Sequence, residues 1–334
     1  MAELQFSKIE TDKLLPVVRQ CYGFRNTMQM RLLKYSENLT YQIWDEITAE
    51  KYVLRVFRSG YHQEDEMEGE LLWIHQINQD TDIKTADVLP GEKGSFVCSI
   101  QVEGQELHCA LFQFIQGDTL RGIYGCRRQK YMKKLGEITA KLHNQVIAWP
   151  QAKTLKRFTW DIDDLVGADS RWGDFSLMKG LPEEYMDWYR QAVEIIRSRL
   201  ERFGRSSDRY GLIHDDISIN NVLLKGEELY LLDFDDCGFG WFLYDIPTML
   251  LEYFDEHMSE ALSAVLKGYE TYRPLSQEEL AELPTFILLK KIVRIGWIAT
   301  RNDNDTVKQV HSDYYEKTAM LAKEYCEKYG EKNT

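Results

Sequence analysis

Residues 212–224 read LIHDDISINNVLL, an apolar run that breaks for His214, Asp215, Asp216, Asn220 and Asn221 and then resumes at once. A core strand gains nothing from such residues, because unpaired buried polar groups cost free energy. The same interruption recurs in LYLLDFDDCGFG, residues 229–240, where an apolar run ends at Leu232 and Asp233 follows. Two hydrophobic runs that each end in carboxylates imply that something charged sits between them.

Composition narrows the classes open to this chain. Its 334 residues can bury a sizeable core, and 44% hydrophobic with 28% charged residues describes a globular protein. No stretch has the uninterrupted apolar length of a membrane span, and MAELQFSKIE does not read as a signal peptide. The six cysteines are scattered, with no CxxC pair and no zinc-like spacing, so reduced thiols in a cytoplasmic protein are the expectation. A net charge of −13 lacks the basic footprint of a nucleic-acid binder and points to cationic or small partners.

The pattern along the chain has two regimes. MQMRLLKY, TYQIWDEI and YVLRVFR, from residue 28 to 58, are β-rich runs separated by polar turns and predict an antiparallel sheet. EDEMEGELLWIHQINQ places Met67, Leu71, Ile74 and Ile77 on one helical stripe, and SFVCSIQVEGQELHCALFQFI reads as a further hairpin. After Gly117 long amphipathic helices take over, with Tyr131, Leu135, Ile138 and Leu142 on one face of the first. PEEYMDWYRQAVEIIRSRLERF begins a second with a proline and acids. The expected fold class is therefore α+β, a small antiparallel sheet lobe over 1–115 and a larger helical lobe over 116–334.

In that setting the spacing H-x-D-x-x-x-x-N, followed by an aspartate–aromatic–acid triplet at Asp233, has a chemical meaning. Phosphoryl transfer from ATP needs one carboxylate to orient the attacking hydroxyl. It also needs an amide oxygen and a second carboxylate for Mg2+, which prefers hard oxygen ligands shared with phosphates.

These residues, with YSENLTYQI, YVLRV, GELLWIHQI, LFQFIQG and LGEITAKLH, resemble the aminoglycoside/choline phosphotransferase family of the protein-kinase-like fold. The resemblance is to the bacterial branch containing homoserine-kinase-like and stress-response-kinase-like proteins. It covers most of the chain and rests mainly on the two adjacent, correctly spaced segments at 212–224 and 231–246. It implies a bilobal fold and an ATP- and Mg2+-dependent kinase with a small-molecule hydroxyl acceptor. The resemblance makes Asp216 the catalytic aspartate, Asn221 and Asp233 the metal ligands, and His214 a brace for the loop. Asp245 would tie that loop in place. Gln113, Phe114 and Ile115 would meet adenine at a hinge, with Val53, Leu223 and Leu232 on its faces. The turn with Ser36 and Asn38 would lie over the phosphates, although it lacks the usual glycines and also reads as an ordinary polar turn.

Three departures from the family pattern bear on function. Arg55 stands where the third strand usually has lysine; its partner on the following helix would be Glu70, with Glu68 as the alternative. Asp215 replaces the small residue usual before the catalytic aspartate, and it either perturbs Asp216 or faces solvent. Ser218 stands where serine/threonine protein kinases carry a lysine for the γ-phosphate, which favours a small-molecule acceptor over a protein. A protein kinase of the stress-response type and a non-catalytic nucleotide-binding module are the alternatives. The acids and tryptophans between Trp160 and Trp188 suit an amine-bearing acceptor through cation–π attraction, or form a solvated acidic surface with helix-terminal carboxylates. His143 reads as a helix cap or a packed residue.

Overall fold

The computed structural model describes residues 10–330 apart from 36, 122, 252, 302–304, 309 and 312. In chain order the first elements are α1 (Thr11–Tyr22), β1 (Met28–Tyr35), β2 (Leu39–Asp45), β3 (Lys51–Val56) and α2 (Glu64–Asp80). Then come β4 (Lys84–Thr85), β5 (Val88–Leu89), β6 (Cys98–Val102), β7 (Gln105–Gln113) and β8 (Asp118–Thr119). The helices α3 (Gly125–Ala148), α4 (Ile162–Val166) and α5 (Glu183–Phe203) precede β9 (Tyr210–Ile213), β10 (Val222–Lys225), β11 (Glu228–Leu231) and β12 (Gly238–Trp241). A 3-10 segment, Phe242–Leu250, leads to α6 (Asp255–Tyr269), α7 (Gln277–Ala299), α8 (Asp305–Lys308) and α9 (Tyr314–Tyr329).

The chain divides into two compact units. The first comprises residues 1–120, 154–157 and 220–235, and the second 121–153, 158–219 and 236–334. The main sheet of the first unit runs β1-β2-β3-β7-β5, with β6 also paired to β7. Alternation along its strands separates two faces. Leu39, Tyr41, Ile43, Leu54, Val56, Cys109 and Leu111 bury one face against Leu14 and Val18 of α1. That helix is hard to see in the sequence because Pro16 interrupts it. Val53 and Arg55 therefore take the opposite face, in register with Phe112 and Ala110 of β7. A second sheet, β4-β11-β10-β8, belongs to the same unit, so both Asn221 and Asp233 lie in it while Asp216 does not.

The second unit is helical around α7, which is buried on nearly every side, as a helix lacking a polar face must be. Ser276 starts it with a capping box, its hydroxyl accepting from Glu279 N (3.1 Å) while Glu279 Oε2 accepts from Ser276 N (2.8 Å). The expected helical stripe of α3 is buried at Tyr131, Leu135 and Leu142. Helices α3 and α6 approach through glycines: a Cβ on Gly136 would lie 2.0 Å from the Val265 carbonyl, and one on Gly268 1.9 Å from that of Lys133. Glycine to alanine ordinarily stabilises a helix interior by about 0.8–1.0 kcal/mol. Here Gly136→Ala and Gly268→Ala should each lower stability by about 1–3 kcal/mol instead, because backbone cannot yield to the added methyl; urea unfolding of the purified variants measures the sign.

Candidate active site

In the first unit the polar residues gather on the face of the main sheet opposite α1. Arg55, on β3, is buried and pairs with Glu70 of α2, which is fully enclosed. Its other nitrogen lies 3.7 Å from both Asp233 and Asp235. The rings of Phe57 and Phe112, 4.7 and 5.0 Å away, flank the guanidinium and shield it from water, which strengthens its attraction to the carboxylates. Glu68 points elsewhere. Its Oε1 accepts from Ser95 Oγ (2.5 Å) and Val97 N (3.1 Å), holding the 95–97 loop. Burial alone would raise the Asp235 carboxyl, but His62, Arg55 and Arg58 together hold it well below the usual carboxylate range. Arg157 adds a hydrogen bond to the Asp235 carbonyl (2.5 Å).

Asn221 and Asp233 stand at the open end of the β10–β11 hairpin, where Leu232 N donates to the Asn221 carbonyl (2.8 Å). Asp233 sits in left-handed backbone, φ 63°, with its side chain 47% exposed. Leu223 of β10 and Leu232 are half-buried, as is Val53. Gln113 ends β7 with its N–H donating to Asp87 O (2.9 Å), and Phe114 and Ile115 follow, both half-buried. Asn38 is buried, and its Oδ1 accepts from Arg58 N (3.0 Å), so it closes the start of β2. Ser36 lies outside the described residues.

The second unit holds Asp216 and His214. The organising group is Asp245, a fully buried carboxylate in the 3-10 segment. Its Oδ2 accepts from His214 N (3.1 Å) and Oδ1 from Asp215 N (2.6 Å). His143 Nε2 lies 3.0 Å from Oδ2, and His143 Nδ1 lies 2.8 Å from the Tyr269 hydroxyl. Burial lowers the His143 imidazole from its ordinary 6.5, with Asp245 opposing the shift. A neutral ring would donate from Nε2 and accept at Nδ1. Burial would raise Asp245, but the hydrogen bonds and charges around it hold it low and ionised. Asp216 N donates to His214 Nδ1 (3.2 Å), and the Asp216 side chain is half-buried just after the buried pair His214 and Asp215.

Asp215 neither faces solvent nor stands uncompensated. It is fully buried, in left-handed backbone at φ 69°, and Lys290 Nζ donates to its carbonyl (2.8 Å) and Oδ1 (2.9 Å). Sequence reasoning misses Lys290, although a Lys290-Lys291 pair inside the apolar run FILLKKIVRIGW is the signal that could have found it. His143 is likewise more than a packed residue: its helix continues to Ala148, and its ring joins Tyr269 to Asp245. The acidic stretch 160–187 is largely occupied locally. Asp161 and Asp164 cap α4, Asp163 pairs with Arg197 (2.7 Å), Asp174 caps the Phe175–Leu177 turn, and Glu183 and Asp187 pair with Arg190.

The model of the phosphotransferase enzyme family (APH) matches residues 31–279. The chain belongs to that family. Among its relatives is the amicoumacin kinase of Bacillus subtilis (strain 168), 24% identical over 298 residues that span 86% of this chain and 84% of that protein. A solved microcompartment-associated aminopropanol kinase is 28% identical, covers 96% of this chain and 99% of its own, and superposes with a TM-score of 0.82. The amicoumacin kinase hAmiN, solved in complex with AMP-PNP, Ca2+ and Ami, shares the fold at a TM-score of 0.74 and 23% identity, over 96% of this chain and 94% of its own. As an APH-family phosphotransferase, the chain is an enzyme of protein-kinase-like fold.

Two stability effects follow from this geometry. Glu70→Ala removes the charge-assisted hydrogen bond of Arg55 while Asp233 and Asp235 stay within 3.7 Å, and should cost about 1.5–3 kcal/mol, read by urea unfolding. Because the folded-state pKa of His143 lies below 6.5, its contribution is fully present above that pH and is lost as pH falls through the lowered value. His143→Gln should therefore flatten the fall in Tm between pH 7 and 5 while lowering Tm at neutral pH, as a thermal-melt series would record.

Proposed function

We propose that this phosphotransferase moves the γ-phosphoryl group of Mg-ATP to the hydroxyl of a small amine-bearing alcohol, with Asp216 as the catalytic aspartate. The observation that carries this reading is Asp216 itself, a half-buried carboxylate in the loop between β9 and β10, whose preceding backbone is hydrogen-bonded to Asp245 and Lys290. Such a loop holds the carboxylate in one orientation before substrate arrives, and positioning is the main contribution of a protein to phosphoryl transfer. Asp216 would accept a hydrogen bond from the acceptor O–H. As the acceptor oxygen bonds to phosphorus, the bond to the ADP oxygen breaks and the proton passes to the aspartate.

Asn221 and Asp233 would hold Mg2+. The donor set fits the ion: one amide and one carboxylate oxygen at the open end of one hairpin, with the Asp233 side chain nearly half exposed, leaves room for phosphates and water in the shell. When bound, the ion neutralises charge on the transferring phosphate. Arg55, paired with Glu70, would supply the strand cation that lysine provides elsewhere in this fold. Gln113, Phe114 and Ile115 would meet adenine, and Val53, Leu223 and Leu232 would cover its faces. The cytoplasm is the proposed location, where ATP is supplied.

A small acceptor, not a protein, is supported by the segment after the metal triplet. Between Asp233 and Asp245 the chain forms β12 and enters the 3-10 segment directly, with no long loop of the kind that regulates protein kinases. An amino alcohol is supported by the likeness to the aminopropanol kinase, which extends over 96% of this chain. Purified protein with Mg-ATP should release ADP when given 1-amino-2-propanol, ethanolamine, choline, homoserine, amicoumacin A or an aminoglycoside in a panel. Asp216→Ala should cut turnover of the accepted compound by about three orders of magnitude or more while ATP still raises the Tm. Equal turnover in Asp216→Ala and wild type would refute the assignment.

A further inference from the structure

The residue before the proposed catalytic aspartate is held in a conformation that glycine adopts freely and aspartate adopts at a cost. Asp215 has φ 69°, and left-handed backbone is unfavourable for an ordinary L-residue, less so for aspartate. Both peptide groups that meet at its Cα are pinned. The group before it donates through Asp215 N to Asp245 Oδ1 (2.6 Å). The group after it accepts at the Asp215 carbonyl from Lys290 (2.8 Å) and donates through Asp216 N to His214 Nδ1 (3.2 Å). Relaxation of Asp215 to an ordinary backbone conformation would break these hydrogen bonds and re-aim the Asp216 side chain.

Lys290 is built into this position. It is 1% exposed, and its ammonium lies 4.3 Å from the Trp172 ring and 4.6 Å from that of Tyr244. Its second bond, to Asp215 Oδ1 (2.9 Å), only partly offsets the burial of a carboxyl that glycine would not have introduced, and burial keeps that carboxyl well above its ordinary range. As a stabilising device the pair is poor. Two ionisable groups leave water, Asp215 Oδ2 has no hydrogen-bond partner among the described residues, and hydrophobic replacements of buried ion pairs are often neutral or stabilising. What the pair does supply is a fixed peptide plane immediately before Asp216.

We propose that Lys290 is a positioning residue for phosphoryl transfer, clamping Asp215 in the left-handed conformation and thereby setting the direction of the Asp216 carboxylate. The proposal rests on the assignment of Asp216 made above. Lys290→Met alone strands a buried carboxylate and endangers folding, so the decisive variant is the double change Asp215→Asn with Lys290→Met, compared with Asp215→Asn. It keeps the strained backbone and the side-chain oxygen, removes the charge and removes the clamp. Turnover is read as ADP release from Mg-ATP with 1-amino-2-propanol, and with water alone as a second measurement.

The clamp predicts that kcat of the double variant falls about tenfold to a hundredfold below Asp215→Asn, with KM for ATP unchanged within about twofold. Asp215→Gly in the Lys290→Met background should recover most of the loss, because glycine holds the conformation unaided. A double variant with the kcat of Asp215→Asn, or a Lys290→Met variant that loses Tm but keeps wild-type kcat, overturns the proposal. Failure of the glycine change to recover kcat also overturns it. Asp216→Ala run alongside separates the two ideas: wild-type turnover there sinks the assignment of Asp216, whereas its loss with an intact double variant sinks only the role of Lys290.

Discussion

A buried carboxylate that must stay ionised organises the second unit. Asp245 has no solvent to stabilise its charge, so every hydrogen bond it accepts substitutes for hydration. Two of those bonds come from consecutive backbone N–H groups, of His214 and Asp215, and a third contact comes from His143. Consecutive N–H groups converge on one carboxylate only if the chain bends between them, and left-handed backbone at Asp215 turns it again before Asp216. The loop carrying Asp216 therefore takes its shape from the electrostatic needs of a residue thirty positions away. His143, whose imidazole burial shifts below its ordinary 6.5 against the pull of Asp245, completes the arrangement.

The first unit solves the opposite problem, a buried cation. Arg55 lies between two aromatic rings and faces Glu70, Asp233 and Asp235. Of these, Glu70 and Asp235 are enclosed while Asp233 is nearly half exposed. The guanidinium is thus neutralised by carboxylates that do not leave the interior, and the third remains available to solvent. Arginine suits this better than lysine, since its planar group can meet several oxygens in fixed directions and is less strongly hydrated. Both units also place a non-glycine residue in left-handed backbone next to the proposed chemistry, Asp215 in one and Asp233 in the other. Strain of this kind persists where surrounding bonds over-determine it.

Much of this was legible without coordinates. The β-rich runs between polar turns at 28–58 report the strands, and helical spacing at Met67, Leu71, Ile74 and Ile77 reports a core face, because each pattern depends only on neighbours a few residues away. The interruptions at His214–Asn221 and Asp233–Asp236 are visible for the same reason: polar residues inside apolar runs stand out locally. Glu70 and Glu68 could not be separated, since two residues along a helix turn a side chain through most of half a circle and only the placed helix shows which meets Arg55.

The sequence by itself determined a strand-rich part followed by a helical one and the chemical types gathered around residues 214–233, both properties of short spacing and local periodicity, while the phosphotransferase family entered as a resemblance carried by those motifs. Only the tertiary structure decided that Asp215 turns inward, that Lys290 meets it across 75 residues, that His143 supports Asp245, and that most acids of 160–187 serve as caps and ion pairs. The physical reason is that the state of a charged side chain depends on how far it is removed from water and which opposite charge comes within reach. Both quantities are fixed by contacts between segments far apart in the chain, and no local pattern encodes them.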